Sequence, residues 1–518
     1  MLGRRGSFIA KAIATALLIA LGDIVFFGQW IGATLGGFAL AWTAMEALAG
    51  GRPWHRARIV ALGVAALIGA VLIDDPSLLG WSLFWTALAL AALLKRHGFD
   101  DAASWAARLS LHVIFGLAQP ILDFRRALRA KPGKGPARLG GVLKALVLPL
   151  GGGALFLALF AAANPLIGNA LSLIALPSPF TIFLHALLWI ALLFAIWPSL
   201  RPHPEATRMP SGLDQAEWQR RGPPLGTITL SLVVFNGVFA LQNAMDVAFL
   251  WSGAPLPAGV TLADYAHRGA YPLILTALLA GLFVLIVFRP GTAGARSPAA
   301  RGLVMAWVAQ NVLLVASSIL RTIDYVEAYS LTVLRIAALA WMGLVALGLA
   351  LIAWRLLAGR SARWLVNANA LAASLVLVAA SMVDLGAVAA DWNVRHASDL
   401  GGRGAPIDLC YLRFLGPSAL LPLVAIERNA PSTDLRDRAR AVRADTLQTV
   451  IERQNDWHSW TWRNARRLYR AQAPLGPHPA APSDAPNGRQ CDGSKTPPPP
   501  PDPAEQPPDP TDASPQPH

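Results

Sequence analysis

Residues 235–251 read FNGVFALQNAMDVAFLW, a run that is apolar enough to lie in lipid and that still carries four polar side chains. A helix is expected here, because only helices and closed barrels satisfy every backbone polar group inside a bilayer. At about 100° per residue, the polar side chains share one face of that helix. They are Asn236, Gln242, Asn243 and Asp246. Exposing an amide or a charge to lipid is costly, so this face should point into a helical bundle or an aqueous cavity.

The composition of the whole chain places this run in a membrane protein. Of 518 residues, 54% are hydrophobic and 14% are charged, whereas a soluble domain has about 25% charged residues. Apolar runs of about 20 residues, each able to cross a bilayer core of about 30 Å, recur along the chain. The sequence therefore predicts an all-α, polytopic transmembrane bundle of about 11 spans. The spans are predicted near residues 8–27, 29–49, 57–74, 77–94, 142–163, 179–198, 225–250, 270–288, 302–320, 336–357 and 364–388.

The net charge of +14 is distributed unevenly along the chain. Most Lys and Arg residues before residue 388 lie in alternate connections between the predicted spans, which is the pattern of cytoplasmic loops. These connections are residues 1–11, 50–58, 95–144, 199–224, 289–301 and 355–363. We therefore expect a multi-pass protein of the cell inner membrane, with a cytoplasmic N-terminus and a periplasmic C-terminal region. A nucleic-acid partner is not expected, since no recognition motif accompanies the charge.

Five regions follow from these patterns: transmembrane helices in 1–94, a basic connector in 95–141, the main bundle in 142–388, an external helical region in 389–470 and a tail in 471–518. The connector has apolar residues at helical spacing, so it is either a helix lying in the inner headgroup layer or a simple cytoplasmic loop. Its cations would contact anionic lipid. They are Arg125, Arg126, Arg129, Lys131, Lys134 and Arg138.

Past residue 388 the sequence changes character. A twelfth span at 410–426 is disfavoured by Arg413, Pro417 and Pro422. The tryptophans of WHSWTWR, residues 457–463, fit either packing onto their own domain, which we favour, or contact with the membrane interface or a partner. The tail is rich in proline and nearly free of large aliphatic residues, so we expect it to be disordered.

The sequence contains little that is typical of a catalytic, redox or metal-binding site. Cys410 and Cys491 have no spacing typical of a metal or redox site, and a disulfide is not expected, because Cys491 lies in the predicted disordered tail. No phosphate-binding loop, dinucleotide fingerprint, HExxH or GxSxG motif is present. We expect no cofactor and no metal, and we lean against an enzyme.

Polar groups recur in later spans and suggest one cluster in the outer half of the bundle. In WVAQNVLLVASSILRTIDYVEAY, residues 307–329, Gln310, Arg321 and Asp324 share a helical face. The last predicted span adds Asn367 and Asp384 to the cluster. The full candidate set is Asn236, Gln242, Asn243, Asp246, His267, Arg268, Gln310, Arg321, Asp324, Glu327, Arg335, Asn367, Asp384 and Asp391.

Several of these stretches together resemble a known family. They include FNGVFALQNAMDVAFLW, WVAQNVLLVASSILRTIDYVEAYSLTVLR, DWNVRHA and LCYLRFLGPSALLPL, in this order. Over residues 225–425 the chain closely resembles the bacterial inner-membrane family catalogued as domain of unknown function 4173. The resemblance implies a polytopic membrane protein and no particular activity.

Three functional classes stay open at this point. The favoured class is a structural, scaffold or signalling component of the cell envelope, with a protein partner there and the polar groups paired inside the bundle. The alternative is a transporter or channel-like protein that binds a small solute, ion or proton at Asp246, Arg321 and Asp384. The third is a membrane enzyme for lipid-type substrates, with His267 or a carboxylate as the acid-base group.

Overall fold

A computed structural model describes residues 2–49, 55–94, 99–129, 178–204, 224–251 and 293–498, with scattered positions between 148 and 164 and residues 206, 279 and 283. This part of the chain is helical and has isolated bridges but no strand. The predicted all-α polytopic bundle is confirmed. The helices are α1 (Leu2–Phe26), α2 (Thr34–Ala49), α3 (Arg56–Asp74), α4 (Leu78–Leu93), α5 (Ala102–Arg129), α6 (Pro179–Leu200), α7 (Leu225–Asp246), α8 (Pro298–Tyr329), α9 (Val333–Ala358), α10 (Ala362–Met382), α11 (Leu385–His396), α12 (Leu409–Leu415), α13 (Leu420–Asn429), α14 (Thr433–Asn455) and α15 (Trp462–Leu475), besides a single turn at Ala293–Arg296.

Most predicted spans that the structure describes are helical, but one further candidate span, Ala102–Arg126, lies in the segment predicted to be a cytoplasmic connector. Within the described ranges, nine helical segments are long and apolar enough to cross a membrane. The predicted spans at 142–163 and 270–288 lie largely outside the described residues. Helices α2 and α4 have 16 residues each, about 24 Å, which is short for a full crossing.

Helix α6 illustrates why these segments are helical and why they belong in lipid. Ser178 caps its first turn, accepting a hydrogen bond from the amide of Thr181 at 3.1 Å, and Pro179 occupies the first helical position. Its large apolar side chains point outward, with Phe180 68% and Phe183 60% exposed. A continuous apolar exterior of this kind requires lipid around it.

The chain forms two compact units, of which the first contains residues 1–221, 361–381 and 457–462. Its core is centred on Trp42, which is fully buried and donates from Nε1 to Ser199 Oγ at 2.9 Å. Phe84 meets the Trp42 ring edge-to-face at 5.8 Å. Helices α2 and α3 touch at Gly36, where a Cβ would lie 2.4 Å from the backbone nitrogen of Ile73. Such close approach through small residues is how membrane helices pack.

The second unit contains residues 222–360, 382–456 and 463–518. It combines α7, α8 and α9 with a C-terminal domain, residues 382–456 and 463–498. The domain docks on the turn between α8 and α9. Asn393 of α11 accepts from the amide of Leu331 at 2.6 Å and donates to its carbonyl at 2.9 Å. The Tyr411 hydroxyl accepts from the amide of Val333 at 2.9 Å. These bonds satisfy backbone groups that a helix end leaves unpaired.

The C-terminal domain is a helical domain with its own apolar core. Leu423 and Ile426 of α13 pack with Val442 of α14, and all three are buried. Residues Leu409–Asn429 are apolar enough for a span, but a 3-10 turn at Gly416–Ala419 breaks them into short helices. Helix α14 carries nine charged side chains along its length, which lipid would not accommodate.

The C-terminal end of the domain differs from the sequence prediction in two respects, the disulfide and the order of the tail. Cys410 and Cys491 form a disulfide, although none was expected. Residues 476–498, which we call the strap, lie against α14 and are ordered by ion pairs of Arg489 with Asp437 at 2.8 Å and of Arg438 with Asp492 at 2.5 Å. The expected disorder is therefore wrong for residues 471–498, because cross-linking and charge pairing hold a segment that has no core of its own. Residues 499–518 lie outside the described part.

Candidate functional site

The polar face of α7 points toward α8, where the amides form a ladder between the two helices. Gln310 Nε2 donates to Asn236 Oδ1 at 2.8 Å, and Asn236 Nδ2 donates to the Leu303 carbonyl at 3.0 Å. Asn243 Nδ2 donates to the Gln310 carbonyl at 3.3 Å. Interhelical amide bonds of this kind hold membrane helices together and contribute about 0.6 kcal/mol each. The expectation that this face looks inward agrees with the geometry.

At the end of this ladder lies the most buried ion pair of the second unit. The Arg321 guanidinium bonds Asp246 Oδ1, and the exposed fractions of the two side chains are 8% and 0%. Gln242 Nε2 adds a hydrogen bond to the same oxygen at 3.0 Å. In a low-dielectric interior, removal of one partner of a buried ion pair is strongly destabilising.

The chain changes its helical geometry directly after this ion pair. Residues Val247–Trp251 form one π-helical turn, a feature often found at functional positions. Trp251 Nε1 donates to Ser317 Oγ on α8 at 3.2 Å. The π-turn thus keeps a polar contact with α8 beyond the point where the regular α-helix ends.

Asp384 belongs to a different site from the one expected. It caps α11, accepting from the Ala387 amide at 3.0 Å, and it pairs with Arg467 of α15 and accepts from Ser418 Oγ at 3.0 Å. Burial favours a higher pKa for this carboxyl, but the Arg467 charge and these hydrogen bonds outweigh burial and lower the pKa. The expected grouping of Asp384 with Asp246 and Arg321 thus gives way to a second ion pair in the C-terminal domain.

The remaining candidate residues are scattered. Asn367, in the first unit, accepts from the Ala102 amide at 2.8 Å. Asp391 pairs with Arg395 at 2.5 Å on the exposed side of α11. Arg335 donates to the Tyr329 carbonyl at 2.7 Å. Two acidic residues near the end of α8 are exposed, namely Asp324 and Glu327. Two candidates, His267 and Arg268, lie outside the described residues.

A polar seam runs along α5 in the first unit, and none of its residues is among the candidates predicted from the sequence. Arg108, His112, Gln119 and Asp123 are each at most 3% exposed, while the opposite side of the helix shows apolar side chains such as Ile114, 62% exposed. The spacing i, i+4, i+11, i+15 places all four polar groups on one face, and a helical wheel of this connector would have found it.

The charged residue at each end of this seam pairs with a residue outside α5, Arg108 with Asp100 and Asp123 with Arg201. Arg108 makes a two-pronged contact with Asp100 at 3.1 and 3.0 Å. Asp123 accepts from Trp197 Nε1 at 3.0 Å and pairs with Arg201 at 3.2 Å, both from α6 and the residue that follows it. The seam therefore fastens α5 to its neighbours.

The structure describes only some of the connector cations that are predicted to contact anionic lipid. Arg125 and Arg126 are exposed near the end of α5, and Arg126 pairs with Asp123 at 3.2 Å. The Arg129 side chain and Lys131, Lys134 and Arg138 lie outside the described residues. Contact with anionic lipid stays a prediction.

Ion pairs around Asp437 make an acid-sensitive contact between α14 and the strap. Burial acts to raise the pKa of Asp437, but bonds from Ser483 and Arg489 prevail and lower the pKa to about 2. Because the folded pKa is depressed, this contribution to stability is present above the ordinary pKa near 4 and is lost as the pH falls toward about 2.

We expect the thermal midpoint of the full chain in detergent to fall between about pH 4 and about pH 2. The variant Asp437→Asn should melt lower at neutral pH and should lose part of this acid dependence. Circular dichroism melts across the range provide the measurement. A variant with the same acid slope as the parent chain would contradict this assignment.

The fold and these interfaces define a class of protein: a multi-pass helical membrane protein with a disulfide-closed C-terminal domain. The chain belongs to the family described as Domain of unknown function (DUF4153), whose model matches residues 59–426. The match extends from α3 to α13. The family inferred from motifs, number 4173, is not the one that matches, because amides and carboxylates within apolar helices mark a membrane bundle and not one particular family.

Comparisons with curated proteins and with solved structures gave no significant match. Among the described residues, no group of three or more His, Cys, Asp or Glu side chains is placed to hold a metal ion. The polar groups that the structure does bring together are donors and acceptors for one another.

Proposed function

We propose that this chain is a scaffold of the bacterial inner membrane that presents its C-terminal domain to partners in the periplasm. The disulfide between Cys410 and Cys491 supports the periplasmic side, since disulfides persist in oxidising compartments and are rare in the cytosol. The basic loops on alternate sides support a cytoplasmic N-terminus.

The observation that carries the structural role is the pairing of intramembrane polar groups across helices. Asp246 Oδ1 accepts from Arg321 and Gln242, and Asn236 is bonded to Gln310. The contacts join α7 to α8, and the α8–α9 turn in turn bears the C-terminal domain. A rigid bundle that supports a docked domain is the arrangement expected of a scaffold.

A solute- or proton-binding role is the second candidate, and one observation favours it. Asn243 Oδ1 and Gln310 Oε1 are buried and have no hydrogen-bond partner among the described residues. They lie in the same α7–α8 interface as Asp246, and buried polar groups in spans often line ion or solute pathways. A water or a solute would satisfy these two oxygens.

Two experiments test the scaffold proposal. A periplasm-active reporter fused after Pro431 should be active, and reporter activity confined to the cytoplasm would refute the proposed topology. Cross-linking of intact cells with a reagent that does not cross the inner membrane should capture specific envelope proteins on the full chain. Their absence under conditions that capture a known periplasmic complex would refute the scaffold role.

A further inference from the structure

Three buried side chains of α5 carry polar atoms that have no hydrogen-bond partner among the described residues. The side chains are Trp105, His112 and Gln119, with exposed fractions of 2%, 1% and 1%. The atoms are Nε1 of Trp105, both ring nitrogens of His112 and Oε1 of Gln119. Buried polar atoms are nearly always bonded to protein or to bound water, because an unpaired polar atom in an apolar interior is unfavourable.

The three side chains lie in a row along one face of α5. Seven positions separate Trp105 from His112 and His112 from Gln119, so the three residues lie within about 40° of one another on the helix. Successive members are about 10 Å apart along the helix axis. The row offers a donor at Trp105, one donor and one acceptor at a neutral His112, and an acceptor at Gln119. A ligand of this face therefore has to accept as well as donate hydrogen bonds.

The charges near the row are already matched, which indicates a neutral ligand. Arg108 and Asp123, the charged residues of the α5 seam, each pair with a residue outside α5, as described above. On the side of α4, the Trp85 ring lies 5.8 Å from the His112 ring, and α4 itself has no titratable side chain. An added ion would disturb matched pairs in a low-dielectric interior, whereas a neutral molecule would not.

Close packing of α5 on α6 limits the length of the ligand. Gly116 lies one turn after His112 on the same side of the helix, and a Cβ added there would lie 3.2 Å from Cβ of Pro198. The two helices are therefore in contact between His112 and Gln119. A long ligand that bonds both side chains along this face is excluded.

We propose that the buried face of α5 binds individual water molecules at Trp105, His112 and Gln119. Water is neutral and small and both donates and accepts hydrogen bonds, so one kind of ligand satisfies all three side chains. At His112 one water accepts from the protonated ring nitrogen and another donates to the opposite nitrogen. This inference goes beyond the scaffold role, because it assigns a small-molecule site to the first unit and requires no protein partner.

The test is hydroxyl-radical labelling of the wild-type full chain in nanodiscs, with radicals produced from water by a short X-ray pulse. Radicals formed from bound water oxidise the side chains next to it even when these are buried. Trp42 is the matched control, since it is fully buried in the same unit and its Nε1 donates to Ser199. Mass spectrometry should show Trp105 oxidised severalfold faster than Trp42, with oxidation of His112 in the same pulse.

Equal rates for Trp105 and Trp42, whether both are low or both are high, would overturn the proposal. Oxidation of Trp105 without oxidation of His112 would also overturn it, since His112 offers the largest number of unpaired atoms. The experiment uses no substitution, so a folding defect cannot produce either result. Its outcome is independent of the reporter and cross-linking experiments that test the scaffold role.

Discussion

Replacement of Arg321 by alanine is expected to reduce the free energy of unfolding by about 3–5 kcal/mol, because it leaves Asp246 charged, fully buried and short of its cation. The loss should appear as a lower thermal midpoint in detergent and as a lower amount of protein in the membrane. Arg395→Ala is the matched control. Its pair with Asp391 is exposed, with exposed fractions of 71% and 52%, and should contribute less than about 1 kcal/mol.

A double substitution separates the structural role from a binding role. Exchange of both partners for apolar residues, Asp246→Leu with Arg321→Met, should recover most of the stability that Arg321→Ala loses, since no buried charge is then left alone. If the double variant folds and reaches the membrane but does not perform the cellular function of the parent chain, the result would favour solute or proton binding by the two charged groups. Arg321→Ala with unchanged stability would contradict the ion-pair assignment.

Reduction of the disulfide is the second large expected effect. Cys410 and Cys491 are separated by 81 residues in sequence, and removal of such a cross-link costs about 2–4 kcal/mol through the entropy of the unfolded chain. Cys410→Ser and the double variant with Cys491→Ser should both show a lower melting temperature of the C-terminal domain.

Reductant supplies the control for this second prediction. It should lower the melting temperature of the wild-type chain to that of the double serine variant and should leave the variant itself unchanged. Identical melting of the wild-type chain with and without reductant would contradict a stabilising disulfide.

Much of the fold could be predicted because the signals that encode it are local. The expected span 179–198 appears as Pro179–Leu200, since an apolar run, a capping serine and an N-terminal proline all lie within the same stretch. The inward face of α7 was also predictable. A wheel over Asn236, Gln242, Asn243 and Asp246 uses only the pitch of a helix, and the side chains had to find partners inside the bundle.

The partners themselves could not be predicted, because they are distant in sequence. Nothing near Asp384 indicates that Arg467 neutralises it, 83 residues further on. The sequence groups Asp384 with Arg321 only because both are predicted to lie in the outer half of the membrane. Cys491 was assigned to a disordered tail for a similar reason, since proline content reports the lack of a core but not a cross-link to Cys410.

The α5 seam is hidden in the sequence for a different reason. Positive charge in residues 95–141 indicates a cytoplasmic loop, whereas the four polar residues of the seam meet on one face only when the segment is a helix. Asp123 and His112 lie among hydrophobic residues that point the other way, so that the helix is polar inside and apolar outside. This inversion is typical of a helix surrounded by lipid, and not of the surface of a soluble domain.

The most direct test of the central claim, a disulfide-closed domain on the periplasmic side, is the thiol state of the chain in growing cells. After rapid acid quenching and denaturation, a maleimide mass tag should add nothing to the chain, and it should add two tags once the sample has been reduced, because the chain has two cysteines. Two tags without reduction would mean that Cys410 and Cys491 are free thiols, and the proposed location of the domain would be contradicted.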